Sequence, residues 1–166
     1  MGLQEIIDLT ERVGDLDEER RETWRSELDA FEAGEIERFA QTREALDAET
    51  DALVALREEL DRELENVDEL IEYAEFLTVE QAVHHREQTV EKLEAHNEHL
   101  RTFHDAMTEA LSIVESNLDD LESGGVDAVE GDPEPQFRRA REALEAHNDA
   151  VEGLGTNMTI LNAYLL

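Results

Sequence analysis

Several residue types that carry chemistry are scarce in this chain of 166 residues or missing from it. Cysteine is absent, which excludes disulfide bonds, thiolate catalysis and zinc sites built on thiolates. The chain has two prolines, Lys92 is its only lysine, and aromatic residues make up 5% of it. The hydrophobic core must therefore consist mainly of aliphatic side chains. No hydrophobic run approaches the roughly 20 residues of a membrane-spanning helix, so we expect no membrane association.

Sequence signals for export, nucleic-acid binding and catalysis are missing as well. The segment Met1 to Glu5 has neither the positive charge nor the hydrophobic run of a secretory signal, which predicts a cytoplasmic location. No basic stripe with interleaved aromatic residues, as found in nucleic-acid-binding proteins, occurs in the chain. Nucleophile-elbow, phosphate-loop, dinucleotide-binding and zinc-protease motifs are also absent. The sequence thus predicts no catalytic residue, no cofactor and no nucleic-acid partner.

What the chain has in excess is negative charge. Its 45 aspartates and glutamates outnumber 14 lysines and arginines, which gives a formal net charge of -31. In ordinary buffer these carboxylates would repel one another and oppose folding. In molar salt the screening length falls to roughly 3 Å and most of that repulsion disappears. We interpret the charge as an adaptation to a halophilic cytoplasm rather than as a binding motif.

The hydrophobic pattern is helical and tightens to a seven-residue repeat over three segments. Such a repeat is typical of helices that pack side by side along one seam. The second helix carries Phe39, Leu46, Leu53, Leu56, Leu60, Val67, Leu70, Ala74 and Leu77 in the seam. The third carries Leu93, Leu100, Phe103, Met107, Ala110 and Val114. The fourth carries Phe137, Ala140, Leu144, Val151, Leu154, Met158, Leu161 and Leu165.

Turn and capping residues divide the pattern into four predicted helices at roughly 3–32, 36–77, 79–122 and 136–165. Gly34 separates the first two, Thr78 with Gln81 forms a capping box between the next two, and Pro133 and Pro135 end an acidic loop at 124–135. Short turns between long helices favour antiparallel neighbours. We therefore predict an all-α fold of one domain, 1–166, an elongated antiparallel three- or four-helix coiled-coil bundle. The first helix fits no strict repeat, and it either joins the bundle or docks with a partner.

Four ionisable residues fall on the hydrophobic seams: Glu49, Glu63, His96 and His147. Folding the second and third helices back about Thr78 brings Glu63 near His96. An analogous fold about the acidic loop predicts that His147 lies at the level of Glu49. Buried carboxylates need partners, so we interpret these residues as polar layers that fix the helix register, as a buried asparagine does in coiled coils.

An alternative interpretation makes the same four residues metal ligands inside a carboxylate bundle. Di-iron bundles place two ligands on one helix face through a Glu-x-x-His motif. That motif does not occur in this chain. If the four residues are polar layers, the sequence predicts no metal site. If they are ligands, it predicts a metal- or small-ligand-binding bundle.

Candidate interaction residues lie at the two ends of the chain. Trp24 belongs to the irregular first helix, and Ile160 and Tyr164 lie off the seam in the uncharged segment 157–166. The segment either seals one end of the bundle or forms an interface. Together these patterns predict a non-enzymatic helical interaction module, such as a scaffold, adaptor or assembly spacer, whose partner is another protein or a further copy.

Overall fold

The computed structural model describes residues 2–74, 80–151 and Leu154. Within these ranges the chain forms helices and connecting turns without any strand, which confirms the predicted all-α class. The elements are α1 (Gly2–Glu32), α2 (Ala40–Ala74), α3 (Glu80–Gly124), a short 3-10 helix (Val126–Ala128) and α4 (Glu134–Ala150). None of these helices is long and apolar enough to cross a membrane.

Contacts between neighbouring helices run in opposite order along the chain, so successive helices alternate in direction. Residue numbers fall on one helix as they rise on the next. The contacts that show this are Arg20–Glu49 and Glu27–Thr42 for α1 and α2, Arg43–Asp119 and Arg101–Asp61 for α2 and α3, and Arg139–Glu109 and His147–His96 for α3 and α4. The helix α1 also meets the start of α4, where the guanidinium carbons of Arg20 and Arg21 lie 5.3 and 4.4 Å from the Phe137 ring centre. The first helix therefore belongs to the bundle.

The turn between α1 and α2 explains why α2 begins at Ala40 rather than at the predicted residue 36. Gly34 has a φ of 74°, a left-handed conformation that glycine adopts without steric cost. Its amide donates to the carbonyl of Phe31, and the next amide, of Glu35, donates to that of Ala30. These two bonds form a Schellman motif, and the chain then passes through bends at residues 35, 37 and 38 before α2 begins.

Carboxylates from two other helices cap the first turn of α2. Glu27 of α1 accepts hydrogen bonds from the amides of Thr42, at 2.5 Å, and Gln41, at 3.4 Å. Glu122 of α3 accepts one from the amide of Phe39 at 2.9 Å. The first amides of a helix have no partner inside it and carry partial positive charge. The two carboxylates satisfy them and fix where α2 starts.

The loop before α4 folds back along α3 instead of extending from its end. The side chain of Asn117 donates to the carbonyl of Gly131 at 2.9 Å, and a Cβ at Gly131 would lie 2.7 Å from Ile113. Only glycine fits this close approach. Pro133 and Pro135 do not delay α4 to residue 136 as predicted, because proline is tolerated in the first turn of a helix.

At the far end of the bundle, only some of the predicted helix boundaries fall within the described residues. The helix α3 begins at Glu80 and ends at Gly124, close to the predicted 79–122. The helix α4 is described to Ala150, followed by a turn at Val151 and by Leu154. The rest of the predicted helix 136–165 and the end of the predicted helix 36–77 lie outside the described residues. The coiled-coil supercoil and the single domain stay predictions.

Aliphatic side chains from all four helices form the core, which comprises two clusters of buried residues. The larger cluster runs through the middle of the bundle and includes Ile6, Val13, Phe39, Leu53, Leu56, Leu60, Leu100, Ala106, Ala110, Leu118, Phe137 and Ala140. The smaller cluster lies near the ends of α2 and α4 and contains Val67, Leu93 and Leu154, with Leu3, Leu70, Ile71, Val90 and Val151 packed against them. Most of these residues belong to the predicted seams.

Replacing a central core residue should destabilise the bundle far more than replacing an exposed one on the same helix. Leu56 is fully buried, whereas Leu64 on the same helix is 36% exposed. We expect Leu56→Ala to lower the free energy of unfolding by about 2–5 kcal/mol, because it removes buried methyl groups and leaves a cavity. The matched change Leu64→Ala should alter it by less than about 0.5 kcal/mol. Urea unfolding in molar KCl, followed by circular dichroism, measures both; equal effects would contradict the packing described.

Candidate functional site

A chain of hydrogen bonds between buried ionisable side chains crosses the bundle from α4 to α2. His147 of α4 and His96 of α3 face each other with 2.8 Å between their Nδ1 atoms. The Nε2 atom of His96 lies 3.0 Å from the Oε2 atom of Glu63 on α2. All three residues are buried, and His96 is completely inaccessible. We call Glu63, His96 and His147 the His–His–Glu chain.

Further polar groups continue this chain to the surface. The side chain of Asn97 donates to the Oε1 atom of Glu63 at 3.1 Å and to the carbonyl of Leu60 at 2.8 Å. Arg101 donates to the amide oxygen of Asn97 at 2.6 Å and to the carboxylate of Asp61 at 2.6 Å. Both oxygens of Glu63 are therefore bonded, as a buried carboxylate requires.

The hydrogen-bond partners limit how many protons the two imidazoles can hold. A carboxylate accepts hydrogen bonds, so Nε2 of His96 carries a proton that it donates to Glu63. Only one proton fits between the two facing Nδ1 atoms, so one of them accepts. Burial, together with the nearby His96 and His99, lowers the pKa of His147 to about 4. The pair of imidazoles thus carries at most one positive charge near neutral pH.

This geometry suits hydrogen bonding rather than metal binding. Two imidazole nitrogens that share a tetrahedral zinc ion lie about 3.3 Å apart, because each sits roughly 2.0–2.1 Å from the metal. The Nδ1 atoms of His96 and His147 are closer, at 2.8 Å, and point at each other. In the part of the chain that the structure describes, no group of three histidine or carboxylate side chains could hold a metal ion.

A second cluster of charged side chains, partly buried, joins α1 to α2 and consists of Asp17, Arg20, Arg21 and Glu49. We call it the arginine–carboxylate cluster. Arg20 donates through Nε to the carboxylate of Glu49 at 2.6 Å and through Nη2 to that of Asp17 at 2.5 Å. Arg21 donates to the second oxygen of Asp17 at 2.7 Å. Arg20 and Glu49 are buried, so this ion pair is shielded from solvent.

Glu49 is the least compensated member of this cluster. One of its oxygens, Oε1, is buried and has no hydrogen-bond partner among the described residues. Burial outweighs the attraction of Arg20, and the nearby Asp17 adds repulsion, so the pKa of Glu49 is raised to about 7. A proton on Oε1 would neutralise the group, so the cluster gains or loses a charge close to neutral pH.

The structure brings together three of the four seam residues predicted from the sequence. The predicted proximity of Glu63 and His96 is confirmed by their 3.0 Å contact. The predicted placement of His147 near Glu49 is wrong, because His147 contacts His96 and Glu49 contacts Arg20. The acidic loop lies along α3 as far as Asn117, and this shifts the register of α4 toward the start of α3.

Sequence reasoning missed Arg20 and Asp17, although the signal was present. Ile6, Val13, Arg20 and Glu27 follow one another at intervals of seven residues, and all four are buried. The first helix therefore has a seam in which the apolar residues Ile6 and Val13 are followed by the polar residues Arg20 and Glu27.

Of the predicted interaction residues, Trp24 is half-buried with its ring centre 5.3 Å from that of Phe39. Ile160 and Tyr164 lie outside the described residues.

The outer surface between α2 and α3 contains a groove with an uncharged middle, which we call the α2–α3 groove. Its volume is about 480 Å³, and its lining consists of Leu46, Asp47, Thr50, Leu53, Val54, His104, Thr108, Leu111, Ser112 and Glu115. Ion pairs bridge the two helices beyond both ends, from Arg43 to Asp119 and Glu122, and from Arg101 to Asp61. Between these bridges, Val54 leaves 53% of its surface exposed.

Comparisons with known proteins find no match for this chain among protein-family models, curated proteins or solved structures.

The lowered pKa of His147 predicts a stability loss in acid. Because the folded-state pKa of about 4 lies below the ordinary 6.5, the unfolded chain takes up this proton first as the pH falls. The stability that His147 contributes above pH 6.5 should be lost between pH 6.5 and 4, by up to about 3 kcal/mol. The advantage of the wild type over His147→Gln should shrink accordingly in pH-dependent urea unfolding. His84→Gln, which removes an exposed histidine, is the control; a constant advantage would contradict the assignment.

The raised pKa of Glu49 predicts the opposite dependence. Its folded-state pKa of about 7 lies above the ordinary 4.5, so the folded chain holds this proton longer as the pH rises. The stability that protonated Glu49 contributes below pH 4.5 should be lost as the pH rises through 7, by up to about 3 kcal/mol. Glu49→Gln should therefore gain stability relative to the wild type over this interval, and Glu44→Gln, an exposed glutamate on the same helix, should not. A stability difference between Glu49→Gln and the wild type that does not change with pH would show that Glu49 remains ionised throughout.

Proposed function

We propose that this protein is a non-enzymatic helical interaction module that works as a scaffold, adaptor or assembly spacer in a halophilic cytoplasm. The ionisable groups of its interior support the proposal, because they bind one another across the helices. The His–His–Glu chain bonds both oxygens of Glu63, and Arg20 joins two carboxylates. Such groups hold helices in place and offer little to a substrate.

The observation that carries the proposal is the α2–α3 groove. Beyond both ends of the groove, arginines and carboxylates pair across the seam and cover it with charge. In the groove, Thr50, Val54, Thr108 and Ser112 stand beside Leu46, Leu53 and Leu111 without an ion pair over them. An exposed apolar surface is costly where salt strengthens apolar association. Contact with another protein would remove that cost.

The net charge of -31 fits an interaction module in molar salt. There the screening length is roughly 3 Å, so acidic proteins can approach one another and apolar contacts decide which surfaces bind. The partner is accordingly expected to recognise shape and apolar surface rather than net charge.

A metal- or small-ligand-binding bundle is the less favoured alternative. Three of the four residues that it needs, Glu63, His96 and His147, lie together, but three of the four ring nitrogens of the histidines and both oxygens of the carboxylate are hydrogen-bonded. A metal ion shared by the two Nδ1 atoms would have to break the 2.8 Å contact between them.

Site-specific photo-crosslinking in the native cytoplasm at molar KCl tests the proposal. We expect a photoreactive residue at Thr50, on the rim of the α2–α3 groove, to cross-link to one defined protein species. The same residue at Glu22, exposed on α1, should give no such product. Metal analysis of the purified protein runs in parallel. No defined product at Thr50, or stoichiometric metal that His147→Gln abolishes, would overturn the interaction module.

A further inference from the structure

A cleft lies where the helix α1 meets α3 and the start of α4, and we call it the α1–α4 cleft. Its volume is about 280 Å³, close to the lower end, about 300 Å³, of the pockets in which proteins hold small molecules. A sphere of that volume is roughly 8 Å across, which leaves room for one small organic molecule. None of its lining residues lines the α2–α3 groove. A ligand of the cleft is therefore separate from a protein bound at the groove.

The wall of the cleft formed by α1 has hydrogen-bond donors that are not in use. Arg20 lines the cleft and is 4% exposed. Its Nε and Nη2 atoms donate to Glu49 and Asp17, which leaves Nη1 without a partner among the described residues. Arg21 also lines the cleft and donates through Nε to Asp17 at 2.7 Å, so its two Nη atoms are left in the same way. Guanidinium N–H groups bind a carboxylate more strongly than they bind a neutral acceptor.

Both guanidinium groups are held in place before any ligand binds. The carboxylate of Asp17 bridges them, with one oxygen on Arg20 and the other on Arg21. Both groups also lie over the ring of Phe137, which lines the cleft. A site that is already ordered loses less conformational entropy on binding. The free N–H groups can therefore receive a carboxylate without rearrangement of the arginines.

The walls formed by α3 and by the loop before α4 have free acceptors instead. The exposed residue Asp132 accepts the amide of Glu134 through Oδ1, which leaves Oδ2 without a partner among the described residues. The side chain of Asn117 donates to the carbonyl of Gly131, and its own oxygen is left in the same way. The other carboxylate of the cleft, that of Glu134, is already bonded to Arg141 at 2.6 Å. An ammonium group, which has three donors and no acceptor, suits the free oxygens.

The charges and the shape of the cleft together select a class of ligand. Donors on one wall and acceptors on the others, in a cleft roughly 8 Å across, match a small molecule that has a carboxylate and an ammonium group close together. The rings of Trp24 and Phe137 line the same cleft and provide a surface on which an aromatic side chain can pack. A zwitterion has no net charge, so the net charge of -31 does not repel it as it repels a simple anion.

We propose that the α1–α4 cleft binds a zwitterionic α-amino acid with an aromatic side chain. Its carboxylate accepts hydrogen bonds from Arg20 and Arg21, its ammonium group donates to Asp132, and its ring packs against Trp24 and Phe137. An acid without the ammonium group leaves the acceptors of the cleft unused, and an amine without the carboxylate leaves the donors unused. This site goes beyond the proposed function, because contact with a protein at the α2–α3 groove does not require it.

Titration of the purified protein with L-phenylalanine in molar KCl tests the inference. The fluorescence of Trp24, the only tryptophan of the chain, reports binding, and saturation-transfer NMR on the ligand detects it independently. Phenylacetate lacks the ammonium group and phenethylamine lacks the carboxylate, so we expect each to bind at least about fivefold more weakly than L-phenylalanine. No saturation below about 10 mM L-phenylalanine by either method, or equally tight binding of one of the two analogues, would overturn the inference.

Two variants with matched controls test the assigned contacts. Arg21→Gln and Asp132→Asn should each raise the dissociation constant of L-phenylalanine about three- to fivefold. Arg25→Gln, on the exposed side of α1, and Asp127→Asn, exposed between α3 and α4, should leave it unchanged, since neither residue lines the cleft. Circular dichroism checks that each variant is folded. Arg21→Gln should not weaken the binding of phenethylamine, which has no carboxylate. Equal effects of a variant and its control would show that the ligand binds elsewhere.

Discussion

The pairing of α1 with α2 depends on buried side chains that recur every seven residues on both helices and meet in layers. Hydrogen bonds show two of these layers, in which Arg20 contacts Glu49 and Glu27 caps α2 at Thr42. The same spacing of seven places Ile6 at the level of Glu63 and Val13 at the level of Leu56, and all four of these residues are buried. A slip of one repeat would leave Glu49 opposite Val13 or Glu27 instead of Arg20, and removing one partner of a buried ion pair costs about 3–5 kcal/mol.

The polar layers determine the register of the helices, which the aliphatic residues alone do not determine. Leucine, valine and alanine pack in several registers with similar energies, because dispersion and burial have no direction. A hydrogen bond has both a direction and a length. The His–His–Glu chain fixes α2, α3 and α4 relative to one another, and the arginine–carboxylate cluster fixes α1 on α2. Together the two clusters set the register of all four helices.

The sequence predicted what is local and missed what depends on the path of a loop. Helix class, most seam residues and the contact of Glu63 with His96 follow from periodicity and from the turn that the sequence predicts at Thr78, a residue outside the described ranges. The partner of His147 did not follow, because a loop of about twelve residues can either extend or fold back. The hydrophobic periodicity does not show which of these two paths the loop takes. Gly131 packing against Ile113 decides it. Arg20 was overlooked because an arginine in a hydrophobic repeat interrupts the pattern used to find the repeat.

The concentrated salt that we propose as this protein's environment also explains why charged groups lie inside the bundle. At a screening length of roughly 3 Å, ion pairs on the surface, such as that of Arg101 with Asp61, contribute little to the choice of register. Buried pairs are screened much less, since salt ions do not enter the core. A bundle built mainly of aliphatic residues and surrounded by concentrated salt can therefore rely for its register on polar contacts such as Arg20–Glu49 and His96–Glu63. The same salt strengthens apolar association, which is why we propose that a partner binds at the uncharged middle of the α2–α3 groove.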